Sequence, residues 1–383
     1  MKNITIVTGT RAEYGLLKPL IKKLETSSDF ILRLVVTGMH LSPEFGLTYK
    51  EIEEDGVRIF CKIDTLLSSD SSEAISKSIG LGLISFSDFF KNQETDLLII
   101  LGDRTELLSV SIAAMIKGVP IAHISGGETT EGAYDEAIRH SLTKMSYIHF
   151  TATAGYTKRV IQLGEAPERV FNVGAIGIDS IKSLKLLNRD EFQSSIEFSL
   201  NKRNLLVTFH PVTLEKESAE QQFKAILDSI DKFPETNIIF TKPNSDKGGR
   251  IISKMIDNYV KANREKSVSF DSLGQLRYLS ALQFVDVVLG NSSSGIVEVP
   301  YFKIPTINVG DRQKGREMPL SVINCEPSDS EVTSSLELAF SDEFKSSIVN
   351  VASPYGDGTA TEKIFEVLKY LKIESTKKSF YDI

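Results

Sequence analysis

The sequence predicts an α/β protein made of two Rossmann-like, doubly wound domains. Short apolar runs alternate with longer amphipathic segments along the 383 residues, which is the pattern of parallel strands connected by helices. A chain of this length fits two domains. Polar clusters follow several of the apolar runs, and ligands of open parallel sheets bind beyond the carboxyl ends of the strands. We therefore expect two sheets whose polar strand ends face a cleft between the domains.

The individual elements follow from the spacing of apolar residues. Leucine and isoleucine recur at positions 16, 17, 20, 21 and 24, which keeps one face of a helix apolar. We expect the chain to enter its second domain between Asn172 and Arg203, after a polar, helix-prone stretch. The predicted strands are residues 4–8, 32–37, 97–101, 121–124, 147–151, 205–209, 237–241, 284–289 and 305–309.

Composition and charge exclude several classes of function. The net charge of −7 argues against nucleic acid or an anionic membrane as a partner. No apolar run approaches the ~20 residues that span a bilayer, and the amino terminus lacks the pattern of a signal peptide. Cys61, Cys325 and the five histidines show no metal or redox spacing, and neither a dinucleotide fingerprint nor a P-loop is present. We expect a cytoplasmic protein without a structural metal.

The most informative segment runs from Asn291 to Glu298. It follows a predicted buried strand and places Ser292, Ser293 and Ser294 before a predicted helix. A hydroxyl-rich turn that leads into a helix offers N–H groups, hydroxyls and the positive end of the helix dipole to an anion. Glu298, about one turn into the helix, can accept hydrogen bonds from a ribose. The combination indicates a nucleoside diphosphate, and the competing interpretation is an ordinary N-cap.

Further polar residues follow strands in the second half of the chain. His210 comes directly after the run at 205–209, Asn244 follows the run at 237–241, and Arg312 follows the run at 305–309. A single histidine is more often structural. Together with the serines and Glu298, however, these residues supply the cation, hydroxyls and carboxylate that a nucleoside diphosphate site needs.

Carboxylates and arginines follow the strands of the first half. Two pairs on a predicted helix, at positions 135 and 139 and at 136 and 140, are spaced as neighbours on one helix face. Structural ion pairs or a salt-bridged solvent face are the commoner explanation. Carboxylates gathered on one wall of a cleft can, however, have their pKa values pushed apart, as acid–base catalysis requires. The residues concerned are Arg11, Asp103, Arg104, Glu128, Asp135, Glu136, Arg139 and His140.

Seven motifs occur in a fixed order, and with them the chain resembles the hydrolysing UDP-N-acetylglucosamine 2-epimerases of sialic-acid biosynthesis. Each motif alone is weakly specific, the ordered set is strongly so, and the resemblance runs from Ile4 to Asp382. The motifs are Arg-Ala-Glu-Tyr-Gly (11–15), Gly-Asp-Arg (102–104), Gly-Gly-Glu (126–128), Asp-Glu-Ala-Ile-Arg-His (135–140), Phe-His-Pro-Val-Thr (209–213), Gly-Asn-Ser-Ser-Ser-Gly (290–295) and Arg-Gln-Lys-Gly-Arg (312–316).

The resemblance implies a glycosyltransferase-B fold and an elimination reaction. Residues 1–172 with a C-terminal helix at 366–383 would form the catalytic domain, and residues 173–365 the UDP-binding domain. A carboxylate would remove the proton at carbon 2 of the sugar while UDP leaves carbon 1, giving 2-acetamidoglucal. Addition of water would then release N-acetylmannosamine. No cofactor is implied, the partner is a UDP-sugar, and a homodimer or dimer of dimers is expected.

The resemblance also implies roles for individual residues. Asp103 and Asp135 match the catalytic carboxylates of the family. His210, Arg312 and the serines would hold the diphosphate, and Glu298 the ribose. The residues expected to bind nucleotide or sugar are Arg11, Arg104, Arg139, His210, Asn244, Ser292, Ser293, Glu298 and Arg312.

One position departs from the pattern of some relatives, which carry a glutamate two residues after the histidine that precedes the third motif. Here that residue is Ser125. Either Glu128 takes the role, helped by glycines that let its loop swing, or Asp103 and Asp135 form the acid–base pair. Residues 129–132 are expected to line the sugar pocket.

Several functions remain open on the sequence alone. The substrate is either UDP-N-acetylglucosamine or a 2,4-diacetamido-trideoxy nucleotide sugar. A non-hydrolysing 2-epimerase is disfavoured because its family has Gly-Thr-Arg-Pro-Glu where this chain has Gly-Thr-Arg-Ala-Glu. A glycosyltransferase of the same fold and a non-catalytic nucleotide-binding module also remain open, and both are less favoured than the 2-epimerase.

Overall fold

The chain forms two units, each built around a parallel sheet. The computed structural model describes residues 1–67, 69, 71–129, 134–211, 218–243 and 249–383. Unit 1 comprises Met1–Ser183 and Pro354–Ile383, and unit 2 comprises Leu184–Ser353. Two parallel-sheet α/β units confirm the predicted fold class.

The described residues form thirteen strands: β1 (Lys2–Thr8), β2 (Phe30–Thr37), β3 (Ile59–Ile63), β4 (Leu97–Leu101), β5 (Ile121–Ile124), β6 (Ile148–Thr151), β7 (Val170–Asn172), β8 (Arg203–Thr208), β9 (Thr236–Thr241), β10 (Ser267–Phe270), β11 (Val287–Gly290), β12 (Thr306–Val309) and β13 (Val322–Cys325). Their order is β3-β2-β1-β4-β5-β6-β7 in unit 1 and β10-β9-β8-β11-β12-β13 in unit 2. The order reverses between β1 and β4 and between β8 and β11. These are the switch points at which doubly wound sheets bind ligands.

The nine predicted strands are all present, with ends shifted by up to three residues. The four additional strands, β3, β7, β10 and β13, are the four edge strands of the two sheets.

The described α-helices are α1 (Arg11–Thr26), α2 (Tyr49–Glu54), α3 (Ser72–Asn92), α4 (Thr105–Lys117), α5 (Tyr134–Met145), α6 (Ala154–Gln162), α7 (Ile176–Ser183), α8 (Arg189–Ile196), α9 (Ala219–Ile230), α10 (Gly249–Ala262), α11 (Gly274–Ala281), α12 (Ser294–Val297), α13 (Asp329–Phe340), α14 (Asp342–Ile348) and α15 (Ala360–Tyr370). Helix α1 matches the helix predicted from residues 16–24. None of these helices has both the length and the apolar character needed to cross a membrane.

Strand β4 illustrates how the sheet of unit 1 is buried. All five of its residues are apolar and no more than 4% exposed. Leu97, Ile99 and Leu101 lie in the core that contains α1 and α15, whereas Leu98 and Ile100 lie in the core that contains α3 and α4. Because helices cover both faces, the strand is continuously apolar rather than alternating.

The first division between the units falls within the expected stretch from Asn172 to Arg203, but both divisions differ from the narrower boundaries after residues 172 and 365. Helix α7 belongs to unit 1 because Asp179 accepts hydrogen bonds from the N–H groups of Ala360 (3.1 Å) and Thr361 (2.8 Å) at the start of α15. The chain therefore leaves unit 1 only after Ser183 and returns to it at Pro354.

The predicted C-terminal helix at 366–383 is wrong in extent. Helix α15 ends at Tyr370, and residues 371–383, which we call the tail, form no helix. The tail lies against unit 1. The Lys378 ammonium donates to the carbonyls of Lys144 (2.9 Å) and Ser146 (2.6 Å) and to the Glu165 carboxylate (2.7 Å). Side-chain contacts, not helical hydrogen bonds, hold this segment in place.

Candidate functional site

Charged residues gather at the carboxyl ends of β4 and β5 in unit 1. Asp103 comes two residues after β4, Glu128 comes four residues after β5, and Asp135 lies in the first turn of α5. The parallel strands bring these segments to the same edge of the sheet. We call Asp103, Asp135 and Glu136, together with Arg139, the carboxylate cluster.

Arg139 is the centre of the carboxylate cluster. Its side chain is buried and forms an ion pair with Asp103. The other terminal nitrogen donates to the Glu136 carboxylate (3.1 Å) and to the carbonyl of Glu128 (2.9 Å). Because a guanidinium is a fixed fork of donors, these contacts set the relative positions of three segments. A salt-bridged solvent face does not describe this burial, so that interpretation is wrong for Arg139.

The predicted pairs on α5 are formed only in part. Glu136 and His140 are in contact, with 3.1 Å between Oε1 and Nε2. Arg139 pairs with Glu136 and Asp103 rather than with Asp135. The pKa of Asp135 is raised by burial and by the charge of Asp103, against the opposing effect of nearby guanidinium groups. Asp135 therefore holds a proton more readily than an ordinary aspartate.

The loop that carries Glu128 is packed tightly. A Cβ atom at Gly127, where φ is +81°, would lie 2.5 Å from the carbonyl oxygen of Tyr156. The carbonyls of Gly127 and Glu128 accept hydrogen bonds from Arg159 and Arg139. The glycines thus serve close packing of the backbone, in contrast to the swinging loop that the sequence suggested.

His123 holds the ends of neighbouring elements together. It is fully buried, and its ring nitrogens contact the Gly102 carbonyl (2.7 Å) and the Thr143 hydroxyl (3.2 Å). Burial lowers its pKa to about 3, so the imidazole is neutral at physiological pH. A neutral ring in these contacts is a structural link between β5, α5 and the loop before Asp103.

The two remaining arginines expected in unit 1 are ion-paired locally. Arg11 is largely exposed at the start of α1 and pairs with Glu51 at 2.9 Å. Arg104 pairs with Glu106 at 2.7 Å. The neighbours Asp103 and Arg104 therefore belong to different ion pairs, Asp103–Arg139 and Arg104–Glu106.

In unit 2, residues 291–294, which we call the serine turn, follow β11. Gly290 has φ +139°, and a Cβ atom there would lie 1.9 Å from the Thr208 carbonyl oxygen, so only glycine fits. The expected helix is a single turn, α12, followed by a 3-10 turn at Val299–Phe302. A helix this short has only a small dipole. Most of the attraction for a bound anion must therefore come from the hydroxyl and N–H groups of Ser292 and Ser293.

Asn291 joins the serine turn to the loops after β8 and β12. Its side-chain Oδ1 accepts from the His210 N–H and its Nδ2 donates to the His210 carbonyl, both at 2.8 Å. Its own carbonyl accepts from Arg312 Nη1 (2.9 Å) and Gln313 Nε2 (2.8 Å). The structure thus brings the backbone of His210, the serine turn and Arg312 together, and their role as a diphosphate site stays a prediction.

Glu298 follows α12 and is hydrogen-bonded to Ser294, the last residue of the serine turn. The Tyr278 hydroxyl donates to Ser294 Oγ at 2.7 Å. Burial raises the pKa of Glu298, and a hydrogen bond with Ser294 and the charge of Arg316 oppose that shift. Asn244, the other residue expected here, lies outside the described residues, as do residues 130–132 of the expected sugar pocket.

Comparison with known proteins agrees with the ordered motifs. The family model for UDP-N-acetylglucosamine 2-epimerase matches residues 22–369. The chain belongs to this family.

Two curated relatives of this epimerase-family chain carry closely similar names. GDP/UDP-N,N'-diacetylbacillosamine 2-epimerase (hydrolyzing) from Campylobacter jejuni is 41% identical and aligns over 100% of this chain and 99% of its own length. UDP-N,N'-diacetylbacillosamine 2-epimerase (hydrolyzing) from Legionella pneumophila is 35% identical over 98% of this chain and 97% of its own. The polysialic acid biosynthesis protein P7 of Escherichia coli is 39% identical and aligns over 100% of this chain and 98% of its own length.

A solved structure supports the glycosyltransferase-B fold. The crystal structure of UDP-GlcNAc 2-epimerase from Neisseria meningitidis bound to UDP-GlcNAc has a TM-score of 0.77 with 19% identity, over 96% of this chain and 99% of that one. At this identity the likeness establishes the fold alone.

Three features of this member of the epimerase family were not predicted from the sequence. These are the Asn291 contacts, the Tyr278–Ser294 hydrogen bond and the position of Arg139 at the centre of three segments. For the Asn291 contacts, the sequence contained one indication: Asn291 lies within the motif at 290–295. Tyr278 carried none, because it lies 16 residues before its partner Ser294.

Proposed function

We propose that this protein is a hydrolysing 2-epimerase that acts on a nucleoside-diphosphate N,N'-diacetylbacillosamine. The relatives from Campylobacter jejuni and Legionella pneumophila, which bear that substrate in their names, align over nearly the whole chain. UDP-N-acetylglucosamine is the second candidate. A relative from Neisseria meningitidis named UDP-N-acetylglucosamine 2-epimerase supports it, at 34% identity over 85% of this chain.

The observation that carries the proposal is the pairing of two unlike carboxyl groups in the carboxylate cluster. Arg139 forms an ion pair with Asp103. Burial and the Asp103 charge raise the pKa of Asp135. A carboxyl group with a raised pKa can act as the acid in a reaction in which a second carboxylate is the base.

The proposed reaction has two steps. One carboxylate removes the proton from carbon 2 of the sugar as the bond from carbon 1 to the diphosphate breaks, which leaves a carbon–carbon double bond. A carboxylic acid then returns a proton to the opposite face of carbon 2, water adds its hydroxyl to carbon 1, and the remaining proton of the water passes to a carboxylate. The products are the free sugar with inverted carbon 2 and the nucleoside diphosphate.

We assign the departing diphosphate to unit 2. The proton at carbon 2 is weakly acidic, so stabilisation of the leaving group must supply much of the rate enhancement. His210, Arg312 and the serine turn provide a cation and hydrogen-bond donors for the charge that develops on the diphosphate.

Proton NMR in deuterium oxide tests the reaction. Purified protein is incubated with UDP-N,N'-diacetylbacillosamine, with its GDP analogue and with UDP-N-acetylglucosamine. We expect a free sugar of inverted configuration with deuterium at carbon 2, formed fastest from a diacetylbacillosamine substrate. An epimeric nucleotide sugar would instead indicate a non-hydrolysing epimerase, and absence of turnover without an acceptor would indicate a glycosyltransferase.

We also propose that Glu128 takes part in proton transfer. Its backbone carbonyl is held by Arg139, the same residue that holds Asp103, which places Glu128 beside the cluster. Glu128→Gln keeps the shape and removes the titrating group. Loss of turnover by about 100-fold or more with UDP affinity retained would support the role. Near-normal turnover with an unchanged pH profile would leave Asp103 and Asp135 as the acid–base pair.

We further propose that the protein is a homodimer. Helices α3 and α4 pack against each other in unit 1 and expose Leu81, Ile84, Met115 and Ile116, of which Ile116 is 76% exposed. Exposed apolar side chains on two helices that pack together favour burial against a second copy. Light scattering should give twice the chain mass for wild type and a monomer for Ile84→Asp with Ile116→Asp. A monomeric wild-type protein would contradict the proposal.

A further inference from the structure

Three segments at the carboxyl ends of strands in unit 2 meet at one buried residue. Asn291 is 1% exposed, and its amide makes two hydrogen bonds of 2.8 Å with the backbone of His210, one as donor and one as acceptor. Its backbone N–H donates to the Thr208 carbonyl at 3.1 Å. Its carbonyl accepts from Arg312 and Gln313. The side chain of Asn291 therefore holds the loop after β8, and its main-chain carbonyl holds the turn after β12.

We propose that Asn291 is a positioning residue for the diphosphate leaving group. It acts through His210 and Arg312, which it holds at a set distance from the serine turn, and its side chain is directed to protein backbone and not to the ligand. This inference rests on the proposed function, because His210 and Arg312 are assigned to the diphosphate there. Hydrogen-bond donors that are fixed before binding lose little conformational freedom when the ligand binds, and this pre-organisation increases affinity.

The chemistry of the amide explains why asparagine stands at this position. The His210 backbone offers one N–H and one carbonyl side by side, and only a side chain with both an acceptor and a donor satisfies them together. A leucine of similar shape would leave both backbone groups without their partner. His210 would then be free to shift while the rest of the serine turn is unchanged.

The test compares affinity for UDP with affinity for uridine. In calorimetric titrations, Asn291→Leu should weaken UDP binding by about tenfold or more, which corresponds to about 1.4 kcal/mol. Uridine affinity should stay within about twofold of wild type, since the lost contacts position His210, which is assigned to the phosphates. A mere loss of stability would not separate the two ligands, because the folded fraction would bind both normally.

Unit 2 contains a matched control at the other end of β8. Asn204 is 2% exposed, and its amide contacts the backbone of Asn201 in the same two-bond manner, at 2.9 Å and 3.0 Å. It lies near the start of the strand, whereas His210 follows the end. Asn204→Leu should lower the melting temperature by a similar amount and leave UDP affinity within about twofold of wild type. Equal loss of UDP affinity in both variants would overturn the proposal.

Gln313→Met provides a second test of the positioning role in case Asn291→Leu does not fold. Gln313 is buried and donates to the Asn291 carbonyl, while its Oε1 atom has no partner among the described residues. Gln313→Met keeps the volume and removes that donor, and we expect about threefold weaker UDP binding with uridine unaffected. Unchanged UDP affinity in both Gln313→Met and any folded Asn291 variant would refute the positioning role.

The two proposals fail in different ways. Wild-type protein that binds neither UDP nor GDP would overturn the proposed function and this inference with it. Wild-type protein that binds UDP and turns over a nucleotide sugar, beside an Asn291→Leu variant of equal UDP affinity, would overturn this inference alone.

Discussion

Ser125 adopts a backbone conformation that side chains with a Cβ atom rarely take. Its φ is +67°, in the left-handed region, and its N–H donates to the Phe150 carbonyl at 2.9 Å. The hydrogen bond continues the ladder between β5 and β6, so the chain cannot relax without losing it. The strain of about 1–2 kcal/mol for a non-glycine residue is therefore retained at the edge of the carboxylate cluster.

Ser125→Gly should stabilise the protein by up to about 1 kcal/mol, because glycine adopts this conformation without steric cost. Turnover should be unchanged, since a serine hydroxyl is a poor base near neutral pH. Urea unfolding and the NMR assay measure the two effects. Glu197→Gly is the control: Glu197 is an exposed C-cap residue of α8 with φ +50° and should show a similar gain. Loss of turnover by about 100-fold or more in Ser125→Gly would show that the hydroxyl participates.

At this scale the sequence predicts which residues gather but not how they pair. Asp103, Glu128 and Asp135 were expected together because each follows a strand or lies at the start of a helix at the carboxyl edge of the sheet. Helical spacing suggested Asp135 as the partner of Arg139, yet the ion pair forms with Asp103, 36 residues earlier in the chain. Side-chain direction inside a buried cluster depends on tertiary packing, which residue spacing does not contain.

Edge strands mark the limit of prediction at the scale of elements. Interior strands such as β4 are buried on both faces and give continuous apolar runs. The edge strand β3 alternates between half-buried and exposed residues, and β10 is mostly half-buried. An edge strand pairs on one side only and needs less apolar surface, so its sequence resembles a loop. For this reason the apolar pattern predicted every interior strand and none at an edge.

The tail is a second element that local sequence pattern did not predict. Glu165 is 2% exposed and contacts three groups: His149, Lys144 and Lys378. Although burial opposes it, this set of hydrogen bonds lowers the pKa of Glu165 to about 2. The ring of Phe380 lies against Gly164, where a Cβ atom would be 2.3 Å from it. These contacts, rather than helix propensity, decide the path of residues 371–383.

Lys378→Met should therefore destabilise unit 1 by about 2 kcal/mol, since it removes a charge-assisted hydrogen bond from a buried carboxylate. For a unit of this size that equals a fall of roughly 4–8 °C in the melting temperature. Lys377→Met is the matched control, because Lys377 is an exposed neighbour on the same tail. Scanning calorimetry of both variants checks the prediction, and equal melting temperatures would show that the tail contributes nothing to stability.

For the whole molecule, buried titratable groups in unit 1 oppose one another as pH changes. His40 and His123 are fully buried, and burial lowers their pKa values to about 4 and about 3. The unfolded chain takes up protons on these rings below about pH 6.5, so acid destabilises the folded state. Glu13 acts in the opposite direction. Burial and the charge of Glu106 raise its pKa to about 8.

Glu13→Gln should make the protein more sensitive to acid. The folded pKa of Glu13 lies above its unfolded value, so its contribution to stability is complete below about pH 4.5 and is lost as pH rises through about 8. Acidification from pH 7 to pH 5 therefore stabilises wild type through Glu13, and the variant lacks this gain. We expect Glu13→Gln to lose about 2–3 kcal/mol more over that interval than wild type. Glutamine can still accept the hydrogen bonds from the N–H groups of Gly9 and Thr10.

Urea unfolding at pH 7 and pH 5 measures this difference. The chain has no tryptophan, so Phe60→Trp, at a partly exposed position of β3, supplies a fluorescence reporter for unit 1. Glu54→Gln, at an exposed position of α2, is the control and should keep the pH dependence of wild type. If Glu13→Gln and wild type lose equal free energy between the two pH values, Glu13 is ionised in the folded protein. In that case the hydrogen bonds from Gly9 and Thr10 outweigh its burial.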